Sequence, residues 1–285
     1  MTKGTSSTLS PQAFFSLGIM LFAVAILYFP ILQNLAHDWN TNDNYSHGYF
    51  IPVLSIYIIY SFKDSLAKLP LSTNIAGLFL FLLGLLQLII AKAGSEFFLQ
   101  RTSLILVLAG IVLFCLGFPF FKKLFIPIIY LIFMVPLPTI IWNKIAFPMQ
   151  LFGSSLTEKV VAFMGIPIFR EGNVLHLSNT TLEVIGACSG LRSLTTLFAL
   201  SAIFAILSSH TTIQKWLIFL AAAPIAIFAN IVRLSVTALM ASKYGGDVAQ
   251  GFLHDFSGLL VFAVGVIMLV LVSNIIKNFS PQAHS

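Results

Sequence analysis

Long apolar runs separated by short polar connectors dominate this chain. Runs at 14–32, 49–62, 75–90, 104–116, 124–135, 188–207, 216–240 and 256–276 carry almost no charge. A helix needs about 20 apolar residues to cross a bilayer, and flanking residues such as 46–48 and 118–121 extend the shorter runs. The pattern predicts an all-α, polytopic transmembrane helix bundle of about eight spans. It forms one domain over 13–277, with short cytoplasmic tails at 1–12 and 278–285. The first run lacks a small-x-small cleavage site and is read as an uncleaved span rather than a signal peptide.

One stretch breaks the pattern. The segment 136–187 begins with Pro136, Pro138 and Pro148 and continues as an amphipathic stretch, 149–164, with Glu158 and Lys159 on its polar side. That stretch is expected to be an interfacial helix. Two short apolar runs around Glu171-Gly172-Asn173 predict a small extracytoplasmic β-hairpin with its turn there. A third run, 181–185, leads into Gly186-Ala187-Cys188.

Composition excludes the soluble classes. The chain is 58% hydrophobic and 8% charged with mean hydropathy +0.99, against about a quarter charged in ordinary soluble domains. The net charge of +6 does not indicate nucleic acid, because no basic run exceeds Lys122-Lys123. The cations read as orientation signals. With a cytoplasmic N-terminus, the inner segments hold Lys3, Lys63, Lys68, Lys122, Lys123, Lys215 and Lys277. The outer ones hold Lys92, Arg101, Lys144, Lys159, Arg170 and Lys243 over about twice the length, so basic density favours this orientation. Asp64 is the only acidic residue inside. The expected location is therefore the inner (cytoplasmic) membrane, multi-pass, with membrane lipid as the surrounding partner.

Ionisable groups at membrane depth are costly and mark functional sites. Here they are Cys188, Arg192, Arg233 and His254, with His47 at the mouth of the second span. Cys115 and Cys188, near opposite ends of their spans, are expected to lie on the order of 20 Å apart, too far for a disulfide. Cys115 in an apolar run reads as packing. Cys188, followed by Ser189 and Gly190, heads a helix whose dipole favours thiolate, with Arg192 one turn along. Two readings of Cys188 stay open on these features, an inert small hydrophobe and a nucleophile. Arg233 lies seven residues inside the outer end of its span, about 10 Å deep, where it either snorkels or pairs within the bundle. Asn230 is one turn away on the same face. His254 heads the last span at the same depth and suits proton transfer near neutrality.

Thiol, guanidinium and imidazole together suit acyl transfer: the thiolate attacks a carbonyl, the cation steadies the oxyanion and the imidazole moves the proton. HExxH, GxSxG and P-loop patterns are absent. No metal site and no cofactor are expected. A transporter, whose broken helices and buried charges look similar, remains an alternative, as does a non-catalytic scaffold for exopolysaccharide export.

At these residues the chain resembles the exosortase/archaeosortase family. Ala187-Cys188-Ser189-Gly190-Leu191-Arg192-Ser193-Leu194 is similar to the family's nucleophile block, Asn230-Ile231-Val232-Arg233 to its arginine block, and His254-Asp255-Phe256-Ser257-Gly258 to its histidine block. Asn44-Tyr45-Ser46-His47-Gly48 with Ile51-Pro52, and Gly165-Ile166-Pro167 with Arg170-Glu171-Gly172-Asn173, also fit. The resemblance implies a membrane-embedded cysteine protease/transpeptidase. Its partners would be secreted proteins carrying a C-terminal sorting signal: a motif such as Pro-Glu-Pro, a transmembrane helix and a basic tail. Cys188 would form the acyl-thioester at the outer face, facing the periplasm or cell exterior, with Arg233 and His254 as catalytic partners. Arg192, Asn230, Ser189 and His47 would support the site or bind substrate. One departure stands out: many relatives carry Glu two positions before the cysteine, where this chain has Gly186. The acyl acceptor, the cargo and the oligomeric state are left open.

Overall fold

In the computed structural model, residues 11–184, 190–246 and 252–278 are described, and they fall into two units, 1–137 and 138–285. In the first unit α1 (Pro11–Thr41) leads through a 3₁₀ helix, Asp43–Tyr49, into α2 (Phe50–Ser61) and the short α3 (Lys63–Leu66). Then come α4 (Ile75–Ala93), α5 (Phe97–Leu116), α6 (Phe118–Tyr130) and a second 3₁₀ helix, Leu131–Met134.

The centre of this unit is the antiparallel pair α4–α5. Asn74 caps α4 by accepting from the Ala76 amide, and Glu96 caps α5 by accepting from the Leu99 amide, so both helices begin with satisfied donors. Glycine lets them approach. A Cβ on Gly77 would meet the Phe114 backbone, and one on Gly110 would lie 2.5 Å from the Phe81 amide nitrogen. Lipid tails give apolar helices no hydrophobic reason to associate, so close backbone packing through small residues holds such pairs. The opposite face of α4 exposes Phe79, Leu82, Leu83, Leu86 and Ile89, a surface stable only in an apolar solvent. The Tyr28 hydroxyl, 2.8 Å from Ser103 Oγ, ties α1 to α5, and Ser55 Oγ donates to the Pro127 carbonyl at 2.7 Å between α2 and α6.

The second unit runs α7 (Thr139–Phe163), β1 (Ile168–Glu171), β2 (Val174–Leu177), β3 (Thr181–Glu183), α8 (Leu191–Leu207), α9 (Thr212–Tyr244) and α10 (Phe252–Asn278). A Thr211–Gln214 capping box starts α9. Leu197, Ile218, Ala222, Ile225, Ala226 and Leu269 form the core between α8, α9 and α10. The sheet is an antiparallel meander, β1–β2–β3, with Glu171 opposite Val174 and Leu175 opposite Leu182. The expected hairpin is present, its turn falling on Gly172 at φ 62°, and the third run supplies β3. Leu175 and Val184 pack on Leu234, while Leu177 and Val161 pack on Ala238 and Ala241. Sheet and α7 thus cover the C-terminal half of α9.

The protein is an integral membrane helix bundle, though its helices divide the apolar runs differently from the expected eight spans. Among the described residues, four helices are long and apolar enough to cross a membrane: Leu17–Thr41, Ile75–Ala93, Phe97–Leu116 and Thr212–Tyr244. A fifth is counted if Phe118–Met134 and Thr139–Phe163, bent by 77°, form one broken span. The runs at 49–62 and 188–207 become helices of 12 and 17 residues, and the apolar stretch described in α10 is Phe262–Ile276. At 1.5 Å per residue the 12 and 17 described residues fall short of a bilayer core of about 30 Å, whereas α10, with 27 residues, is long enough to cross it. The amphipathic stretch 149–164 is the second half of a longer helix, α7, with Pro148 in its interior.

Candidate active site

The nucleophile block enters the described structure at Gly190, which caps α8 in the left-handed region at φ 80° and ψ −7°. Glycine is required there on two grounds. An L side chain resists that φ, and a Cβ would lie 2.9 Å from Asn230 Nδ2 and 3.0 Å from Asn230 Cγ. Asn230 on α9 therefore touches the residue two positions beyond Cys188. Arg233 follows one turn later on α9; both are 4% exposed. Arg192 sits half-buried in the first turn of α8, and its carbonyl accepts from the hydroxyls of Thr195 (3.1 Å) and Thr196 (2.8 Å). A guanidinium buried in the apolar interior of α9 is expensive to keep away from water.

Of the residues singled out from sequence, the structure brings Asn230 against the start of α8, with Arg233 one turn further along α9. Cys188 and Ser189 lie outside the described residues. So does the side chain of His254, whose backbone belongs to the first turn of α10. Cys115 is half-buried in α5, its thiol 3.6 Å from Met20 Sδ. His47 belongs to the first unit and is buried, 9% exposed.

Two further blocks gain a structural role. In the segment 136–187, Glu158 of α7 accepts from the Arg170 amide at 3.1 Å and from Arg170 Nε at 3.3 Å. Arg170 also donates to the Gly172 carbonyl at 2.7 Å, which takes a second bond from Ser154 Oγ at 3.1 Å. Asn173 then pins Val184, accepting its amide at 2.9 Å and donating Nδ2 to its carbonyl at 3.3 Å. The Arg-Glu-Gly-Asn turn is thus locked to α7 and holds the chain where it leaves β3 toward the nucleophile block.

The early block does comparable work in the first unit. Gly48 is overlain by the Trp39 indole, whose Nε1 donates to the Met134 carbonyl at 2.9 Å. The Tyr45 hydroxyl accepts from the Leu137 amide at 3.2 Å, and Arg101 pairs with Asp38 at 2.5 Å. Burial pushes Tyr45 up to about 12 despite the hydrogen bond to Leu137 and the nearby Arg101, so it stays a neutral phenol. Burial pushes the His47 imidazole below its ordinary value, partly opposed by its hydrogen bond to the Phe133 backbone.

Sequence reasoning missed a cleft between α7 and α9, lined by Pro148, Met149, Phe152, Gly153, Ile227 and Ile231, with Asn230 as its one polar wall. The one clue was Gly153-Ser154 inside an otherwise bulky stretch. Among the described residues, no cluster of His, Cys, Asp and Glu has the makings of a metal site.

Across residues 39–271 the chain matches the model of the transmembrane exosortases. It belongs to the transmembrane exosortase family. The match takes in both structural units from Trp39 on, the locked hairpin, the nucleophile block, Asn230, Arg233 and the described start of α10. Exosortases are in general cysteine-type transpeptidases. No curated protein and no solved structure matches the chain.

Proposed function

We propose that this protein is a membrane-embedded cysteine protease/transpeptidase that cleaves C-terminal sorting signals from secreted proteins at the outer face of the inner membrane. The single observation that carries this reading is the contact between Asn230, one turn from buried Arg233, and Gly190 of the nucleophile block. It joins the stretches that resemble the family's nucleophile and arginine blocks.

The Cys188 thiolate attacks the scissile carbonyl, and Arg233 steadies the oxyanion. As the C–N bond breaks, the amine of the departing tail takes a proton from His254. The acyl group is left on sulfur as a thioester. A nucleophile, either water or an amine, then attacks that carbonyl, gives a proton to His254 and releases Cys188 as thiolate. Asn230 positions the head of α8, and the Glu158–Arg170 lock positions the chain entering it.

A secreted reporter ending in Pro-Glu-Pro, an apolar helix and a basic tail tests this. Wild-type protein and Cys115→Ala process it, whereas Cys188→Ala accumulates it with its tail attached while inserting normally. Processing that persists in Cys188→Ala contradicts the mechanism.

A further inference from the structure

We propose that the α7–α9 cleft is a specificity pocket for one bulky apolar side chain of the substrate's transmembrane helix. This rests on the reading of Cys188 as the nucleophile for C-terminal signals.

Three observations carry it. The first is size: the cleft is about 180 Å³, and an apolar cavity of about 150 Å³ takes benzene. It suits one phenyl or leucyl group, not a helix about 10 Å across. The second is depth. Ile227, Asn230 and Ile231 fall near the middle of α9, one of the four helices able to span the bilayer. A peptide at that depth must satisfy its own backbone hydrogen bonds and so arrives as a helix, which offers the cleft a side-chain knob. The third is continuity. Asn230 both walls the cleft and touches Gly190, so whatever fills the cleft is separated from the head of α8 by that one side chain. A helix seated there is placed in register with the nucleophile block, and the side chain at the contact sets which substrates fit.

Phe152 and Gly153 are the residues that set the pocket's size. Phe152 is exposed on α7 beside the opening. A Cβ added at Gly153 would meet Leu234 Cδ1 at 3.5 Å and Asn230 Nδ2 at 3.8 Å, ordinary contacts. Larger side chains at Gly153 therefore narrow the cleft instead of forcing the helices apart.

Crosslinking tests docking without requiring turnover. In membranes carrying Cys115→Ala/Cys188→Ala/Phe152→Cys, a bifunctional thiol reagent is applied with reporters bearing one cysteine at each position of their helix from its outer end to its middle. Crosslinks on a single helix face, recurring at three- or four-residue spacing, are expected. No crosslink at any position, or equal crosslinking at all, overturns the pocket and leaves the cleft to lipid acyl chains. Crosslinks without processing by wild-type protein leave the pocket standing and refute the protease reading instead.

Selectivity is then read as a ratio within one membrane preparation, so that loss of folded protein cancels. With Phe or Ala at the crosslinked position, wild-type protein favours the Phe reporter by about tenfold or more. Gly153→Leu brings that ratio to about one. A ratio that Gly153→Leu leaves unchanged overturns the proposal.

Discussion

The Asn230 side chain packs against the backbone of Gly190 so closely that no Cβ fits between them. Replacing Gly190 with Ala adds a positive-φ penalty of about 1 kcal/mol to a steric clash. Gly190→Ala should lower the melting temperature in detergent and abolish processing. Shortening the opposing side chain with Asn230→Ala should relieve the clash but not the backbone strain. The double variant is therefore less destabilised than the two single effects added together. Simple additivity would contradict the contact.

The Glu158–Arg170 lock spans α7 and the hairpin, with both side chains partly exposed. Such a pair contributes only about 0.5–1 kcal/mol to stability, yet it fixes the chain that enters the nucleophile block. Glu158→Ala should therefore slow processing by more than its small effect on the melting temperature suggests. Equal, minor effects on both would reduce the lock to a surface ion pair.

Burial holds His47 below its ordinary pKa, so the unfolded chain takes up a proton at a higher pH than the folded one. Stability linked to this residue is full above pH about 6.5 and is lost as pH falls through that value toward the lower folded pKa. Melting temperatures between pH 8 and pH 5 should fall less in His47→Gln than in wild-type protein. Identical slopes would contradict the burial argument.

The α4–α5 pair depends on backbone contact at Gly77 and Gly110. Gly77→Leu must displace the Phe114 backbone and should cost about 1–3 kcal/mol, read as a lower detergent melting point. The same change at Gly18, where an added Cβ meets nothing within 4 Å, should be nearly neutral.

Local chemistry made some of this legible in the amino-acid sequence. The Glu171-Gly172-Asn173 turn announced the hairpin because Gly172 alone suits the left-handed φ there. Arg233 stood out because a charge in an apolar run has few bland explanations. What sequence could not supply was tertiary. Gly77, Gly84 and Gly110 read as scattered glycines until two helices meet at them, and the cleft exists only where α7 crosses α9. Hydropathy measures apolar length but not where a helix ends. Gly117, at φ 87°, closes α5, and Pro136–Pro138 separates α6 from α7.

The central claim is that Cys188 carries the acyl group. The most direct measurement is mass spectrometry of acid-quenched enzyme after brief exposure to the sorting-signal reporter. The account predicts a hydroxylamine-labile adduct, equal in mass to the reporter without its tail, on the peptide containing Cys188 and none on that containing Cys115. Tail release with no adduct on Cys188, and undiminished in Cys188→Ala, would contradict it.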